Sequence, residues 1–233
     1  MIYLTGAGCG TWELLTLRAM RMIQKADCIL YDRLLDPEIL TFAPKHCDCI
    51  YVGKKAGKHA MAQEEIQRLM IEKAARFDTV VRPKGGDPWV FGRVGEESQA
   101  LAQAHVPFEI IPGISSGIGG LAFAGIPITH RDYASGARLM SAHGKAGTMS
   151  DLDYAGMAHT RDTLIFYMGL QQLSAIVSGL MQAGRNPNTP IALVSNAGRA
   201  TQTMVTATLK DIENRDLSQI VSPALLVIGG VIQ

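Results

Sequence analysis

Apolar residues in this chain come in short unbroken runs stopped by glycine or charge, and between them lie stretches with apolar positions every three or four residues. Short runs of this kind are strands buried on both faces, and the 3–4 spacing is that of helices covering them. In the first half the runs predict strands at 2–5, 28–31, 49–52, 79–82 and 108–111. Helical spacing predicts helices over 12–23 with Thr11 as N-cap, from Asp36-Pro37-Glu38 onward, and over 63–75 and 95–104. Strand, glycine turn, helix and strand within some thirty residues is a βαβ unit, so the sheet is at least partly parallel. Pro112-Gly113-Ile114-Ser115-Ser116-Gly117 reads as a linker or crossover. Beyond it the pattern predicts strands at 138–142, 163–167, 191–194, 201–206 and 225–228, and helices at 170–183 and 208–214. Residues 144–159 read as a polar, irregular surface excursion. The expectation is two α/β domains with mixed or parallel sheets, residues 1–113 and 114–233. No period repeats along the chain, which excludes a solenoid.

With 47% hydrophobic and 18% charged residues, a disordered chain is excluded. Lys plus Arg number 22 against 21 Asp plus Glu, so no global basic field points to nucleic acid or an anionic membrane. The uncharged stretch 110–129 is too interrupted by proline and glycine to span a bilayer, and the opening Met1-Ile2-Tyr3-Leu4-Thr5 lacks a signal-peptide pattern. A soluble, cytoplasmic protein is expected. Cys9, Cys28, Cys47 and Cys49 form no disulfide framework. Cys47 and Cys49 would share a strand face, but nothing completes a four-ligand zinc set, so reduced thiols and no metal are expected.

Chemistry is concentrated where strands end, because ligands of open α/β sheets lie beyond the carboxyl ends of the strands. Those ends carry Gly6-Ala7-Gly8-Cys9-Gly10, Asp32-Arg33, the basic loop Gly53-Lys54-Lys55-Ala56-Gly57-Lys58-His59, Gly85-Gly86-Asp87-Pro88 and Pro112–Ser116. The first loop meets a dinucleotide fingerprint at Gly6 and Gly8 but has Thr11 at its third position, with Asp32 at a suitable distance for a ribose. A nicotinamide oxidoreductase therefore stays open as an alternative. Gly85-Gly86 lets the backbone approach a ligand, and Asp87 adds a carboxylate, a combination suited to an amine, hydroxyl or cation. Asp87 could equally cap its own turn. Asp32 is either a base at a buried strand edge or a carboxylate paired with Arg33 or capping the next helix. Arg93 and Glu96, three apart at a helix start, have the spacing of a surface ion pair.

Taken in order, the motifs resemble those of the uroporphyrinogen-III C-methyltransferases, within the tetrapyrrole methylase family. The matching stretches are Leu4-Thr5-Gly6-Ala7-Gly8-Cys9-Gly10, Tyr31-Asp32-Arg33-Leu34, Val52-Gly53-Lys54-Lys55, Lys84-Gly85-Gly86-Asp87-Pro88-Trp89-Val90-Phe91-Gly92-Arg93-Val94-Gly95-Glu96-Glu97, Pro112-Gly113-Ile114-Ser115-Ser116, Gly125-Ile126-Pro127-Ile128-Thr129-His130-Arg131, Phe166-Tyr167-Met168-Gly169 and Ser222-Pro223-Ala224-Leu225. Together they cover nearly the whole chain.

The resemblance implies two α/β domains with S-adenosyl-L-methionine in the cleft between them, and a homodimer. It implies methyl transfer to two pyrrole carbons of uroporphyrinogen III, through precorrin-1 to precorrin-2, for sirohaem, cobalamin or haem d1, with S-adenosyl-L-homocysteine as by-product. By the same resemblance the cofactor residues are Cys9, Gly85, Gly86, Asp87, Val90, Ser115, Ser116, Met168, Ala197 and Ala224. The proton acceptor and donor fall on Asp32 and Lys54, while Arg93 and Glu96 match residues acting at the tetrapyrrole. The acidic side arms of such a substrate make Arg33, Lys55, Lys58, Arg131 and Arg138 expected anchors. Three positions depart from the family pattern: Cys9 stands for Pro, Thr11 for Asp, and Pro83 for Leu. The first two changes leave open a tetrapyrrole-binding protein that has lost activity, and Pro83 predicts an edge strand or a bulge. No dehydrogenase–chelatase domain accompanies these motifs, so methylation alone is expected.

Overall fold

Strands β1 (Ile2–Gly6), β2 (Cys28–Tyr31), β3 (Asp48–Tyr51), β4 (Val80–Lys84) and β5 (Phe108–Ile111) line up in the order β3-β2-β4-β1-β5, every pairing parallel. The structure is a computed structural model describing residues 1–53, 61–144 and 151–232. The chain divides into two compact units, Met1–Ser115 and Ser116–Gln233, where the sequence reading draws the boundary after Gly113.

Parallel strands need covering on both faces, and the first unit supplies it from α1 (Leu17–Ile23), α2 (Gln63–Ala74) and α3 (Val94–Gln103). Ile23 of α1 packs with Ile29 and Val81 on one face, while Ile66 and Met70 of α2 and Leu101 of α3 pack with Leu4, Leu30 and Val80 on the other. The helix expected over 12–23 is divided. A 3-10 turn at Trp12–Leu14 is followed by extended backbone at Leu15 and Thr16, and the true N-cap is Thr16, whose hydroxyl accepts from the Ala19 N–H. Thr11 makes no such bond. Asp36 does cap the 3-10 helix Pro37–Phe42, accepting from Glu38 N, and its second oxygen accepts from Trp12 N.

Pro83 contradicts the expectation of an edge strand, since β4 lies between β2 and β1. Its pairing with β1 runs the full length from Ile2↔Val80 to Gly6↔Lys84, but pairing with β2 stops at Ile29↔Val81. In a parallel ladder of this register the next bond would run from residue 83 to the Leu30 carbonyl, which proline cannot donate. The Arg82 guanidinium takes over: its NH1 donates to Leu30 O at 3.1 Å and to Pro83 O at 3.2 Å. The sheet is thus split at one corner and filled by a side chain.

The second unit holds β6 (Ala137–Ser141), β7 (Thr163–Tyr167), β8 (Pro190–Ser195), β9 (Thr203–Thr208) and β10 (Ala224–Ile228), ordered β6-β7-β10-β8-β9. β6 and β7 are parallel and the remaining pairings antiparallel, a mixed sheet. Helices α4 (Leu121–Phe123), α5 (Tyr154–Ala158) and α6 (Leu173–Gln182) belong to this unit. α5 corrects the reading of 144–159 as irregular: Met157 and Ala158 are buried, and Asp153 caps the helix through Gly156 N. The helix expected at 208–214 shrinks to a 3-10 turn at Ile212–Asn214: Thr208 ends β9, and residues 208–211 form a turn in which the Thr208 hydroxyl donates to Asp211 Oδ2 at 2.6 Å.

At the far end of the first sheet from its glycine loops, Cys28 opens β2, Cys47 precedes β3 and Cys49 lies within it. Burial, then the neighbouring Cys49, pushes the Cys47 thiol up to about 12; burial, then Asp48, pushes Cys28 to about 11. Thiols whose folded pKa exceeds the unfolded value of 9.0 stabilise the fold fully below pH 9, and that contribution is lost as pH rises through about 11 and 12. Urea midpoints measured from pH 8 to pH 11 should therefore fall more steeply for the native chain than for Cys28→Ala/Cys47→Ala. Parallel curves would show that the thiols do not carry the alkaline loss.

Candidate active site

All five strands of the first sheet end at the same edge, so parallel topology brings the residues after β1, β2, β4 and β5 together. Adjacent β1 and β4 send their chains in opposite directions, β1 toward β2 and β4 toward β5, which is where a crevice opens in such sheets. Backbones meet there closely. Gly8 and Gly86 form an antiparallel bridge, Gly8 N to Gly86 O at 3.2 Å and Gly86 N to Gly8 O at 2.6 Å. A Cβ on Gly113 would lie within 3 Å of the Gly86 carbonyl and of Gly6, so three strand-end loops stack through bare backbone. Cys9 is buried just beyond that bridge.

Asp87 closes the cluster. Its Oδ1 accepts from Trp89 N at 2.8 Å and its Oδ2 from Gly113 N at 3.0 Å. The carboxylate thus caps its own turn and also ties the β4 loop to the β5 loop. A carboxylate has about four lone-pair positions, so each oxygen can still accept from a ligand amine or hydroxyl. Gly85 and Gly86 are half-buried, Val90 follows in the same turn with its N–H on Asp87 O, and Ser115 is buried after β5.

Asp32, just after β2, is 27% exposed; its Oδ1 accepts from Leu34 N at 3.0 Å and its Oδ2 from Arg82 NH2 at 3.2 Å. Its partner is thus Arg82, fifty residues away, and not Arg33, which is exposed. Val80, Arg82 and Lys84 alternate onto the face covered by α2 and α3. There the fully buried Glu97 of α3 accepts from Lys84 Nζ at 2.8 Å and from Gln63 Nε2 at 3.1 Å, with Arg82 Nε at 3.6 Å. Burial, and then Arg82, lowers the Lys84 pKa, while Glu97 pulls it back up.

Arg93 and Glu96 join each other in a two-pronged ion pair, Nε to Oε1 at 2.9 Å and NH2 to Oε2 at 2.6 Å. Both are about half exposed. The hydrogen bond from Arg93 holds the Glu96 carboxyl below its ordinary range. The apolar side chains of Leu34, Trp89 and Phe91, on the loops after β2 and β4, are exposed, 58% for Trp89. Lys54, Lys55 and Lys58 lie outside the described residues.

The second unit gathers its own strand-end group. β7 and β8 run parallel to one another with β10 antiparallel between them, so Met168, Ala197 and Ala224 share one end of the sheet. The Ser116–Gly120 turn docks at that end: Gly117 N donates to the Tyr167 hydroxyl at 2.7 Å, and a Cβ on Gly120 would press on Ala197. Met168 adopts a left-handed φ of 56° and is exposed. Arg138 is not brought to this end. It starts β6 at the opposite edge and is paired with Asp162 at 2.8 Å. Arg131 is exposed on a turn whose Tyr133 meets Gly230, beyond that same opposite edge.

Comparison with known proteins spans both units. The model for "Tetrapyrrole (Corrin/Porphyrin) Methylases" matches residues 1–213. The chain belongs to the tetrapyrrole methylases. It is 44% identical over 231 residues to a siroheme synthase of Psychrobacter sp. (strain PRwf-1), covering 99% of this chain and 47% of that protein. It is 44% identical over 235 residues to the uroporphyrinogen-III C-methyltransferase of Bacillus subtilis (strain 168), covering 100% of this chain and 48% of that one. The chain spans about half the length of the curated relatives it matches. Among solved structures, the uroporphyrin-III C-methyl transferase of Thermus thermophilus complexed with S-adenyl homocysteine gives a TM-score of 0.85 at 38% identity, covering 99% of this chain and 98% of that chain. A cobalt precorrin-4 methyltransferase shares the fold, with a TM-score of 0.86 at 24% identity.

In this tetrapyrrole methylase, sequence reasoning missed the buried set Arg82, Lys84, Glu97 and Gln63, although one signal was present. Two cations two apart in an otherwise apolar strand must share a face, and burying them there requires a carboxylate. It also missed the exposed apolar side chains Leu34, Trp89 and Phe91.

Proposed function

We propose that the chain transfers methyl groups from S-adenosylmethionine to two pyrrole carbons of uroporphyrinogen III, giving precorrin-2 by way of precorrin-1. The observation that supports this best is the strand-end cluster of the first unit: bare backbone at Gly85 and Gly86, a clamped Asp87, and Asp32 held two-handed. The match to the Thermus thermophilus enzyme bound to S-adenyl homocysteine, over nearly both whole chains, adds to it.

The donor set suits an amine-bearing and hydroxyl-bearing cofactor, because carbonyl and carboxylate acceptors dominate it. Cys9, Gly85, Gly86, Asp87, Val90 and Ser115 of the first unit, with Ser116, Met168, Ala197 and Ala224 of the second, are the residues that would hold S-adenosylmethionine. When bound, it supplies an electrophilic methyl on a sulfonium. Glycines that stack backbone on backbone give these residues a fixed geometry before the ligand arrives, and positioning is what an in-line methyl displacement chiefly asks of a protein.

The methylated carbon already bears an acid arm and no hydrogen. The positive charge that arrives with the methyl is therefore discharged by loss of a proton from elsewhere in the macrocycle, a pyrrole nitrogen or a bridging methylene. Asp32 takes that proton: two lone-pair positions of its carboxylate remain after Leu34 N and Arg82 are served. Lys54 is assigned as proton donor on the resemblance alone. Arg93 meets the acidic arms of the macrocycle by exchanging Glu96 for a substrate carboxylate, a cheap exchange because exposed pairs are worth about 0–1 kcal/mol. Leu34, Trp89 and Phe91 offer the macrocycle exposed apolar side chains. Of the expected anchors Arg33 remains eligible, whereas Arg138 and Arg131 lie away from the strand-end group of their own unit. Assembly as a homodimer and a cytoplasmic location are carried on the resemblance.

Calorimetric titration with S-adenosylhomocysteine and, separately, NADH decides between a methylase and a nicotinamide enzyme. Saturable binding of S-adenosylhomocysteine alone is expected; binding of NADH alone would overturn the reading.

A further inference from the structure

We propose that Arg82 is the positioning residue of the proton-accepting site, holding the Asp32 carboxylate in the orientation in which it takes the ring proton. The inference rests on the reading of Asp32 as that acceptor. Arg82 is 3% exposed; both terminal nitrogens of its guanidinium are hydrogen-bonded, and Nε makes no hydrogen bond, lying 3.6 Å from Glu97. NH1 serves the carbonyls of Leu30 and Pro83, one on each side of the split between β2 and β4, and NH2 serves Asp32. Nε faces Glu97, itself pinned by Lys84 and Gln63.

The arrangement cannot be reached by a lysine. A planar guanidinium presents donors in fixed directions, whereas an ammonium is a point charge on a flexible stem. Nor can Arg82 swing aside cheaply, since doing so leaves two buried backbone carbonyls without donors. Pro83 strengthens the constraint by removing the N–H that would otherwise satisfy Leu30 O. The side chain that repairs the broken ladder is therefore the one that orients the acid, and the repair fixes it in place. The Leu34 N–H on Oδ1 supplies the second point that defines the carboxylate plane.

The test compares steady-state kcat and KM of the native chain, Arg82→Ala, Asp32→Asn and the double variant, with and without added methylguanidinium. Arg82→Ala is expected to lower kcat about 10–100-fold, the range typical of losing a supporting partner, with KM for S-adenosylmethionine changed by no more than about twofold. Methylguanidinium should restore part of that kcat. In the double variant the two losses should not multiply, leaving kcat within about twofold of Asp32→Asn alone. Multiplicative losses, or native kcat in Arg82→Ala, overturn the inference while leaving Asp32 as acceptor. Native kcat in Asp32→Asn overturns the reading beneath it. Should Arg82→Ala not fold, Arg82→Lys keeps stem and charge; the same kcat loss and the same non-additivity are expected of it, and native kcat would overturn the proposal.

Discussion

Asp32→Asn is expected to lower turnover of uroporphyrinogen III by roughly 10²–10⁴-fold, the usual contribution of a positioned acid or base. S-adenosylhomocysteine affinity should stay nearly unchanged, because no cofactor contact is assigned to Asp32. An amide cannot take the ring proton. It also cannot satisfy both of its neighbours, since Leu34 N and Arg82 NH2 are both donors and asparagine offers one acceptor. The second effect disturbs local order, so thermal unfolding is measured beside the kinetics. A large loss of turnover with a small shift in melting temperature marks Asp32 as chemical. Native turnover would reduce it to the end cap of β2.

The largest effect on stability is expected from Glu97→Gln. Glu97 is fully buried and its carboxylate faces two cations, Lys84 at 2.8 Å and Arg82 at 3.6 Å. Neutralising it leaves both charges in a low-dielectric interior with only the partly exposed Asp32 to answer them. Breaking a buried pair in this way costs about 3–5 kcal/mol. The cost should also depend on pH in a definite direction. Lys84 already has a lowered pKa, so the folded state binds its proton less readily than the unfolded chain does. Stability then rises with pH toward the ordinary lysine value of 10.5, where the penalty of burying the charge has gone. Without Glu97 the penalty is larger, so the variant should recover more of its deficit between pH 7 and pH 9.5 than the native chain gains. Chemical denaturation at the two values checks this. A deficit below about 1 kcal/mol, equal at both, would show that the cluster is solvated.

How much of this was legible from residue order depends on sequence distance. The parallel strands were legible because two-sided burial demands unbroken apolar runs, and β2, β5 and β7 begin and end where the pattern puts them. The glycine loops at strand ends were legible too, because bare backbone at those places has few other uses. Local ambiguity defeated the first helix: Thr11 and Thr16 are both acceptable caps, and only the extended backbone at Leu15 shows that Thr16 is used. It also defeated residues 208–214, where a strand continued past the expected stop. Long-range pairing was invisible in principle. Asp32 meets Arg82 across fifty residues, and no spacing rule could choose Arg82 over the adjacent Arg33. Pro83 predicts an edge strand or a bulge, and of these the edge position is wrong, because the missing N–H is answered by the side chain of the residue before it. The separation of Arg138 from the strand-end group was likewise hidden until strand direction in the mixed sheet was known.

The most direct measurement is transfer of isotope-labelled methyl from S-adenosylmethionine to uroporphyrinogen III, with the tetrapyrrole isolated afterwards. The account predicts two labelled methyl groups per macrocycle, each on a pyrrole carbon. An unlabelled macrocycle recovered from a chain that binds both S-adenosylhomocysteine and the tetrapyrrole would contradict it, and would make this protein a tetrapyrrole carrier.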